Sequence, residues 1–223
     1  MVFSKSSNIE ILYEDNHLLA LFKPAGLLVQ GDRTGDPSLL DWAREYIRDR
    51  YEKPGRVFIG LVHRLDRPVP GVVLTAKTSK AAARLSEQFR QRTIRKVYWA
   101  VVRGIPARPE GRSVVYLERQ GKRVLLVPPG RSGAKRAELC YRTLETIPGH
   151  ALLHVDLLTG RHHQVRAQLA ALGHPIVGDA RYGRSRGGER LGLLARSLSF
   201  RHPTRDLDLT VEAPCPADWP WPP

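Results

Sequence analysis

Apolar residues in this chain fall mostly into short runs with strand character, and longer helical spacing appears in only three places. Ile9 to Asp15 and Leu18 to Lys23 read as two strands joined at Asn16-His17, a turn signal. Val57 to Val62 and Val72 to Ala76 read as two short buried strands. From Val97 onward the pattern is β, with strands expected over Val97 to Val102, Ser113 to Glu118, Val124 to Pro128, Ala137 to Glu145 and Leu152 to Leu158. Arg119 to Arg123 and Pro148-Gly149 supply turns between them. Asp36-Pro37 predicts a helix start, an Asp N-cap followed by Pro at the first helical position, with Leu40, Ala43 and Ile47 as the apolar stripe. Thr78 or Ser79 opens a second helix over Lys80 to Arg92, with Ala82, Leu85 and Phe89 on one face. A third runs from His163 to Leu172, with Val165, Leu169 and Leu172 inward and Gly173 as its stop. Strands outnumber helices and hairpins are frequent. The expected class is therefore α+β, a largely antiparallel mixed sheet with flanking helices.

The pattern divides the chain into a flexible polar N-terminus at residues 1–8, one folded domain over 9–212, and an extended C-terminal tail at 213–223 that carries five prolines. The 223 residues suffice for one large domain or two small ones, and with no internal repeat or low-complexity linker one domain is the economical reading. No apolar run reaches the length of a membrane span, and MVFSKSSNIE lacks the apolar stretch of a signal peptide, so a cytoplasmic protein is expected. Cys140 and Cys215 lie far apart without metal-ligand spacing, which argues against a zinc site. Charge changes the picture most. Lys and Arg number 36 against 22 acids, a formal net charge of +14. Such an excess points to a nucleic-acid partner. The basic residues are spread along the sequence, which fits a folded basic face better than a basic arm.

Candidate chemistry concentrates in LVHRLDRPVPGVVL, Leu61 to Leu74. Two apolar runs present one carboxylate, Asp66, on the loop between them, with Arg64 and Arg67 beside it. Flanking guanidinium groups favour the ionised acid, giving an anionic nucleophile or base in a setting suited to a polyanionic substrate. On spacing alone the same residues also fit a salt-bridged turn.

Five segments occur in order. They are Lys23-Pro24-Ala25-Gly26; His63-Arg64-Leu65-Asp66 with Gly71-Val72-Val73-Leu74; Lys96-Val97-Tyr98-Trp99-Ala100; Thr159-Gly160-Arg161-His162-His163-Gln164-Val165-Arg166; and Gly173-His174-Pro175-Ile176-Val177-Gly178-Asp179 with Tyr182-Gly183. Together they resemble the RluA family of RNA pseudouridine synthases across roughly residues 9 to 203. The resemblance implies the pseudouridine synthase catalytic fold, with Asp66 as the catalytic aspartate. It implies that Tyr98 stacks on the target base and acts as a base late in the reaction, that Arg166 pairs with Asp66, and that Arg64 helps expel the base from its stack. Arg67, Lys96 and Arg161 are expected to contact RNA, and Lys23 to position a loop or contact a phosphate. His63 and His163 are expected to serve in structural hydrogen bonds.

The implied reaction converts uridine to pseudouridine in structured RNA, a ribosomal or transfer RNA stem-loop. It is redox-neutral and imports no group, so neither cofactor nor metal is expected, and the enzyme is expected to act as a monomer. The sequence departs from the family pattern at Pro68, Val69 and Pro70, at Phe22 before Lys23, and at Leu194-Ala195 where a His-Ala pair is frequent. These departures bear on substrate contacts more than on chemistry. No stretch ahead of the first motif accommodates an S4-type RNA-binding domain, so recognition is expected from the catalytic domain itself. Two rivals remain. One is a non-catalytic RNA-binding or RNA-chaperone protein on the same scaffold, which the presence of Asp66, Tyr98 and Arg166 disfavours. The other is a glycosidase or metal nuclease, which would need paired or clustered carboxylates.

Overall fold

A computed structural model describes residues 9–121, 123–183 and 188–221. The flexible N-terminus expected at residues 1–8 and the last two residues of the tail lie outside them. Contacts divide the chain into two compact units. One runs up to Ile94 and takes in Ala195–Pro214; the other comprises Arg95–Leu194 and the segment from Cys215.

The first unit begins with the expected hairpin, β1 (Glu10–Glu14) and β2 (Leu18–Lys23). Asp15 makes its turn, accepting the amides of His17 at 2.8 Å and Leu18 at 2.7 Å. Every residue of β2 is buried, as is every residue of its antiparallel partner β4 (Gly71–Ala76). The run Val57 to Val62 yields only the two-residue β3 (Gly60–Leu61), which also pairs with β4. Helix α1 (Leu39–Arg50) starts later than the Asp36-Pro37 signal predicts. Its N-cap is Ser38, which forms a reciprocal capping box with Asp41, while Asp36 is drawn away into an ion pair with Arg67. Leu39, Ala43 and Ile47 form the buried stripe. Helix α2 (Ser79–Gln91) is capped by Thr78, as expected, and buries Ala81 and Leu85.

The second unit is an antiparallel array in the order β5 (Arg95–Arg103), β9 (His150–Leu157), β8 (Lys135–Ile147), β6 (Glu110–Gln120), β7 (Arg123–Val127). All five strands are expected from the pattern; β5, β6, β8 and β9 run one to five residues longer than it predicts, and β7 keeps its length one position earlier. Helix α3 (Gln164–Ala171) packs on β6 and β7, with Ala167 against Leu117, Val124 and Ala137. It differs from an ordinary surface helix because Gln164, Val165, Arg166, Ala167, Gln168 and Leu169 are all buried. Its polar residues therefore need internal partners. Gln168 donates to the Ser113 hydroxyl at 2.9 Å, and Gln164 donates to the Glu138 carbonyl at 3.0 Å. Leu172, expected inward, is 42% exposed because the helix has ended.

Two strands are absent from the pattern reading, β10 (Leu193–Arg201) and β11 (Asp208–Glu212), an antiparallel pair. From Ala195 onward, β10 belongs to the first unit, where it lies parallel to β4. The α+β class with a largely antiparallel mixed sheet is thus borne out. In its described part the proline-rich tail is tied to the second unit. Trp221 donates its indole N–H to Glu145 at 2.9 Å, and Asp218 pairs with Arg190.

Candidate active site

The first unit presents Asp66, half-buried, on the loop between β3 and β4. Arg64 and Arg67 on either side are exposed, whereas Leu65 and Val69 point inward as anchors. The Asp66 carbonyl accepts the Val69 amide at 3.0 Å, which closes the turn. Gly71 then starts β4 with φ of +135°, a conformation suited to glycine, and any side chain there would collide with the Ala195 carbonyl. The Ala195 amide meanwhile donates to Pro70 O at 2.9 Å. His63 Nε2 accepts the Leu74 amide at 2.9 Å, and its ring stacks on Phe89 with centroids 4.9 Å apart.

Beneath this loop lies Lys23, with no solvent exposure. Its Nζ donates to three backbone carbonyls, Pro24 at 2.9 Å and Leu27 and Arg67 at 3.0 Å each. The phosphate-contact reading of Lys23 therefore gives way to the loop-positioning one, since a fully buried ammonium spent on three carbonyls has no path to a phosphate. Burial lowers its pKa to about 7, against the upward pull of the Asp66 charge. Arg67 locks the same junction. Its Nε donates to Gly26 O at 2.8 Å, its own carbonyl accepts the Gly26 amide at 2.8 Å, and its guanidinium pairs with Asp36 at 2.8 Å.

The second unit holds Lys96 and Tyr98 on β5. Residues directly opposed across antiparallel strands share a face. Tyr98 opposes Val155, Val155 opposes Tyr141, and Tyr141 opposes Gly111, two residues from the Ser113 that receives Gln168 of α3. Tyr98 therefore stands on the α3 side of this sheet, half-buried, with Lys96 on the same face. Lys96 Nζ reaches the Thr159 carbonyl at 3.5 Å, and Arg161 Nε donates to Arg136 O at 3.0 Å.

The loop entering α3 is shaped by its own side chains. Gln164 Oε1 accepts the Thr159 hydroxyl at 2.7 Å and the Arg161 amide at 2.9 Å. His163 takes a left-handed conformation, φ 50°, at the helix N-cap. It is buried, stacks on His162 at 3.7 Å, and lies with Nδ1 2.8 Å from the Tyr182 hydroxyl. Burial, reinforced by the Arg166 and His162 charges, lowers its pKa to about 3, so it is neutral across the physiological range.

Arg166 is buried and forms a bidentate pair with Asp179, Nε to Oδ2 at 2.7 Å and Nη2 to Oδ1 at 2.8 Å. Burial alone would raise the Asp179 carboxyl. The Arg166 contacts and the amides of Arg181 and Tyr182 outweigh it and hold the group below the usual carboxylate range. Asp179 and Tyr182 received no role from sequence reasoning. Their signal in the sequence is membership of the last of the five matching segments, with the acid thirteen positions after the arginine.

No helix among the described residues is long and apolar enough to cross a membrane. Comparison with known proteins agrees with the motifs. The family model for RNA pseudouridylate synthase matches residues 17–171. The chain is 36% identical to ribosomal large subunit pseudouridine synthase C of Vibrio cholerae, over 96% of its own length and 69% of that protein's. It is 34% identical to ribosomal large subunit pseudouridine synthase D of Nitrosomonas europaea, over 94% of its own length and 63% of that protein's. The chain thus spans about two thirds of such relatives. Among solved structures, human RNA pseudouridylate synthase domain containing 4 shares the fold, with a TM-score of 0.80, 24% identity, and coverage of 94% of this chain and 89% of that one.

Proposed function

This chain belongs to the RluA family of RNA pseudouridine synthases, and from that membership we propose that it isomerises specific uridines of large-subunit ribosomal RNA through Asp66. The observation that carries the reading is the presentation of Asp66: a half-buried carboxylate on a loop whose backbone is held from below by Lys23 and from the side by Arg67 and Ala195. A group that must meet one atom of an RNA gains from such preorganisation. The ribosomal substrate is supported by the names of the relatives.

In the proposed reaction the bond from ribose to N1 breaks, the uracil turns, and C5 bonds to the same sugar carbon. The C5 proton leaves and N1 acquires one, so composition and oxidation state are unchanged. This requires neither a redox cofactor nor a metal. Asp66 serves the bond-breaking step, by attack or by proton abstraction. Tyr98 offers a ring on which the extruded base stacks and a hydroxyl able to relay the C5 proton, accepting it as it passes its own proton on. Arg166 supplies fixed positive charge for the chemical step. Arg64, Lys96 and Arg161 contact the phosphate backbone, where the +14 chain gains most of its affinity.

The test uses unmodified large-subunit ribosomal RNA transcribed with uridine tritiated at C5. Wild-type protein should release tritium and leave pseudouridine at mapped sites, and Asp66→Ala should do neither. No release from this RNA would reject the ribosomal substrate, and undiminished release by Asp66→Ala would reject the aspartate.

A further inference from the structure

Arg166 does not hold its orientation alone. Its partner Asp179 has no side-chain exposure, and its Oδ1 also accepts the backbone amides of Arg181 at 2.9 Å and Tyr182 at 3.1 Å. The carboxylate is therefore fixed by its own loop, whether or not the guanidinium is present. That loop is in turn fastened to β5, the strand of Tyr98. Arg103 N donates to Pro175 O at 2.9 Å, Val177 N to Val101 O at 2.9 Å, and Ile176 bridges to Val102. The Tyr182 ring covers the guanidinium, whose central carbon lies 5.4 Å from the ring centroid. The Tyr182 hydroxyl is itself held by Val124 N at 3.0 Å and by His163.

The fork geometry of arginine gives this arrangement a direction. A bidentate pair through Nε and Nη2 occupies the side edge of the planar guanidinium and turns the end edge, with Nη1, away from the carboxylate. We infer that Asp179 is the positioning residue for Arg166: it grips one edge of the guanidinium so that the other is aimed for the chemical step, with Tyr182 as the lid of this seat. The inference rests on the proposed role of Arg166 in that step. An isolated arginine on a helix would sample several rotamers, whereas this one is referenced to the strand that carries Tyr98.

The experiment is a double-mutant cycle of Asp179→Asn with Arg166→Ala. Its readouts are single-turnover tritium release from the unmodified large-subunit transcript and RNA affinity by filter binding. Asparagine can still accept the two loop amides but cannot chelate a guanidinium. Asp179→Asn should slow the chemical step by about 100-fold, the scale of a misplaced reacting group, with affinity within about twofold. In the Arg166→Ala background it should add nothing, because residues acting through one another are non-additive. A wild-type rate in Asp179→Asn, or effects that multiply in the double variant, would overturn the positioning role. A wild-type rate in Arg166→Ala would instead overturn the reading of Arg166 on which this one rests. If Asp179→Asn does not fold, Tyr182→Leu carries the test. Removing the ring should slow release by about 3- to 10-fold, again only while Arg166 is present, and equal slowing in both backgrounds would reject the seat.

Discussion

The ammonium of Lys23 and the backbone carbonyl of Arg67 lie 3.0 Å apart, so the residue that ends β2 holds the residue that follows Asp66. The bond links two segments 44 positions apart and acts on the loop's backbone, independently of side-chain substitutions upon it. Because Lys23 contributes through its donors, its effect should appear in stability and chemistry, not in the salt dependence of RNA binding.

Lys23→Met should destabilise the fold, leaving buried carbonyls unsatisfied at about 1–3 kcal/mol. The loss depends on pH. The folded pKa of about 7 lies below the ordinary 10.5, so between these values the unfolded chain binds the extra proton and wild-type stability rises with pH. Below about pH 7 both states carry the charge and its full burial cost is present. Denaturant titrations should therefore show the variant deficit growing from pH 7 to 10. A deficit independent of pH would contradict the buried-ammonium account.

Asp66→Asn should abolish tritium release while RNA affinity stays within a few-fold of wild type, since phosphate contacts dominate binding. Both quantities are measurable on one transcript. Normal turnover by this variant would remove Asp66 from the mechanism.

Tyr98→Phe should keep RNA binding, because the stacking ring is retained. Loss of the hydroxyl should slow C5 proton release by about 10²–10⁴-fold, the usual scale for a general base. Tritium release under single-turnover conditions reads this step directly. Unchanged release would restrict Tyr98 to stacking.

His163→Asn should flatten the acid limb of stability. The folded pKa of about 3 lies below the ordinary 6.5, so as pH falls through this window the unfolded chain gains a proton that the fold refuses, and stability is lost. Asparagine tolerates the left-handed backbone at this position and keeps a group for Tyr182. Stability measured at pH 7, 5 and 4 should fall less in the variant, and an identical slope would refute a buried neutral imidazole.

Gly71→Ala should destabilise by more than about 2 kcal/mol, combining a disfavoured backbone conformation with a collision at the Ala195 carbonyl. Thermal melts would check this. A neutral outcome would mean that the Pro70–Ala195 contact relaxes freely.

The sequence reveals what depends on neighbours in the chain and hides what depends on distant ones. The hairpin of β1 and β2, the strands from Val97 onward and the Asp66 loop all follow from local alternation and turn residues. The start of α1 lies two residues beyond the expected one because Asp36 and Ser38 are both good caps; Ser38 closes a capping box with Asp41, while Asp36 is engaged by the remote Arg67. Lys23 was read partly as a phosphate contact because lysines are ordinarily exposed, and its burial rests on carbonyls of two loops. Asp179 went unassigned because its partner lies across a helix and a turn. β10 and β11 carry interspersed arginine, serine and aspartate that blur a strand signal.

The return of Ala195–Pro214 to the first unit has a consequence for synthesis of the protein. A chain emerging from the ribosome N-terminus first exposes the Asp66 loop early, with Lys23 and Arg67 already available to shape it. The Pro70 carbonyl receives its counterpart, the amide of Ala195, only after 125 further residues. Arg95–Leu194 is meanwhile continuous in sequence and can pair its strands as they appear. Vectorial folding thus completes the scaffold of Tyr98 and Arg166 before the Asp66 loop receives its final anchor, and a chain stalled or truncated before Ala195 would carry Asp66 on an unfinished loop.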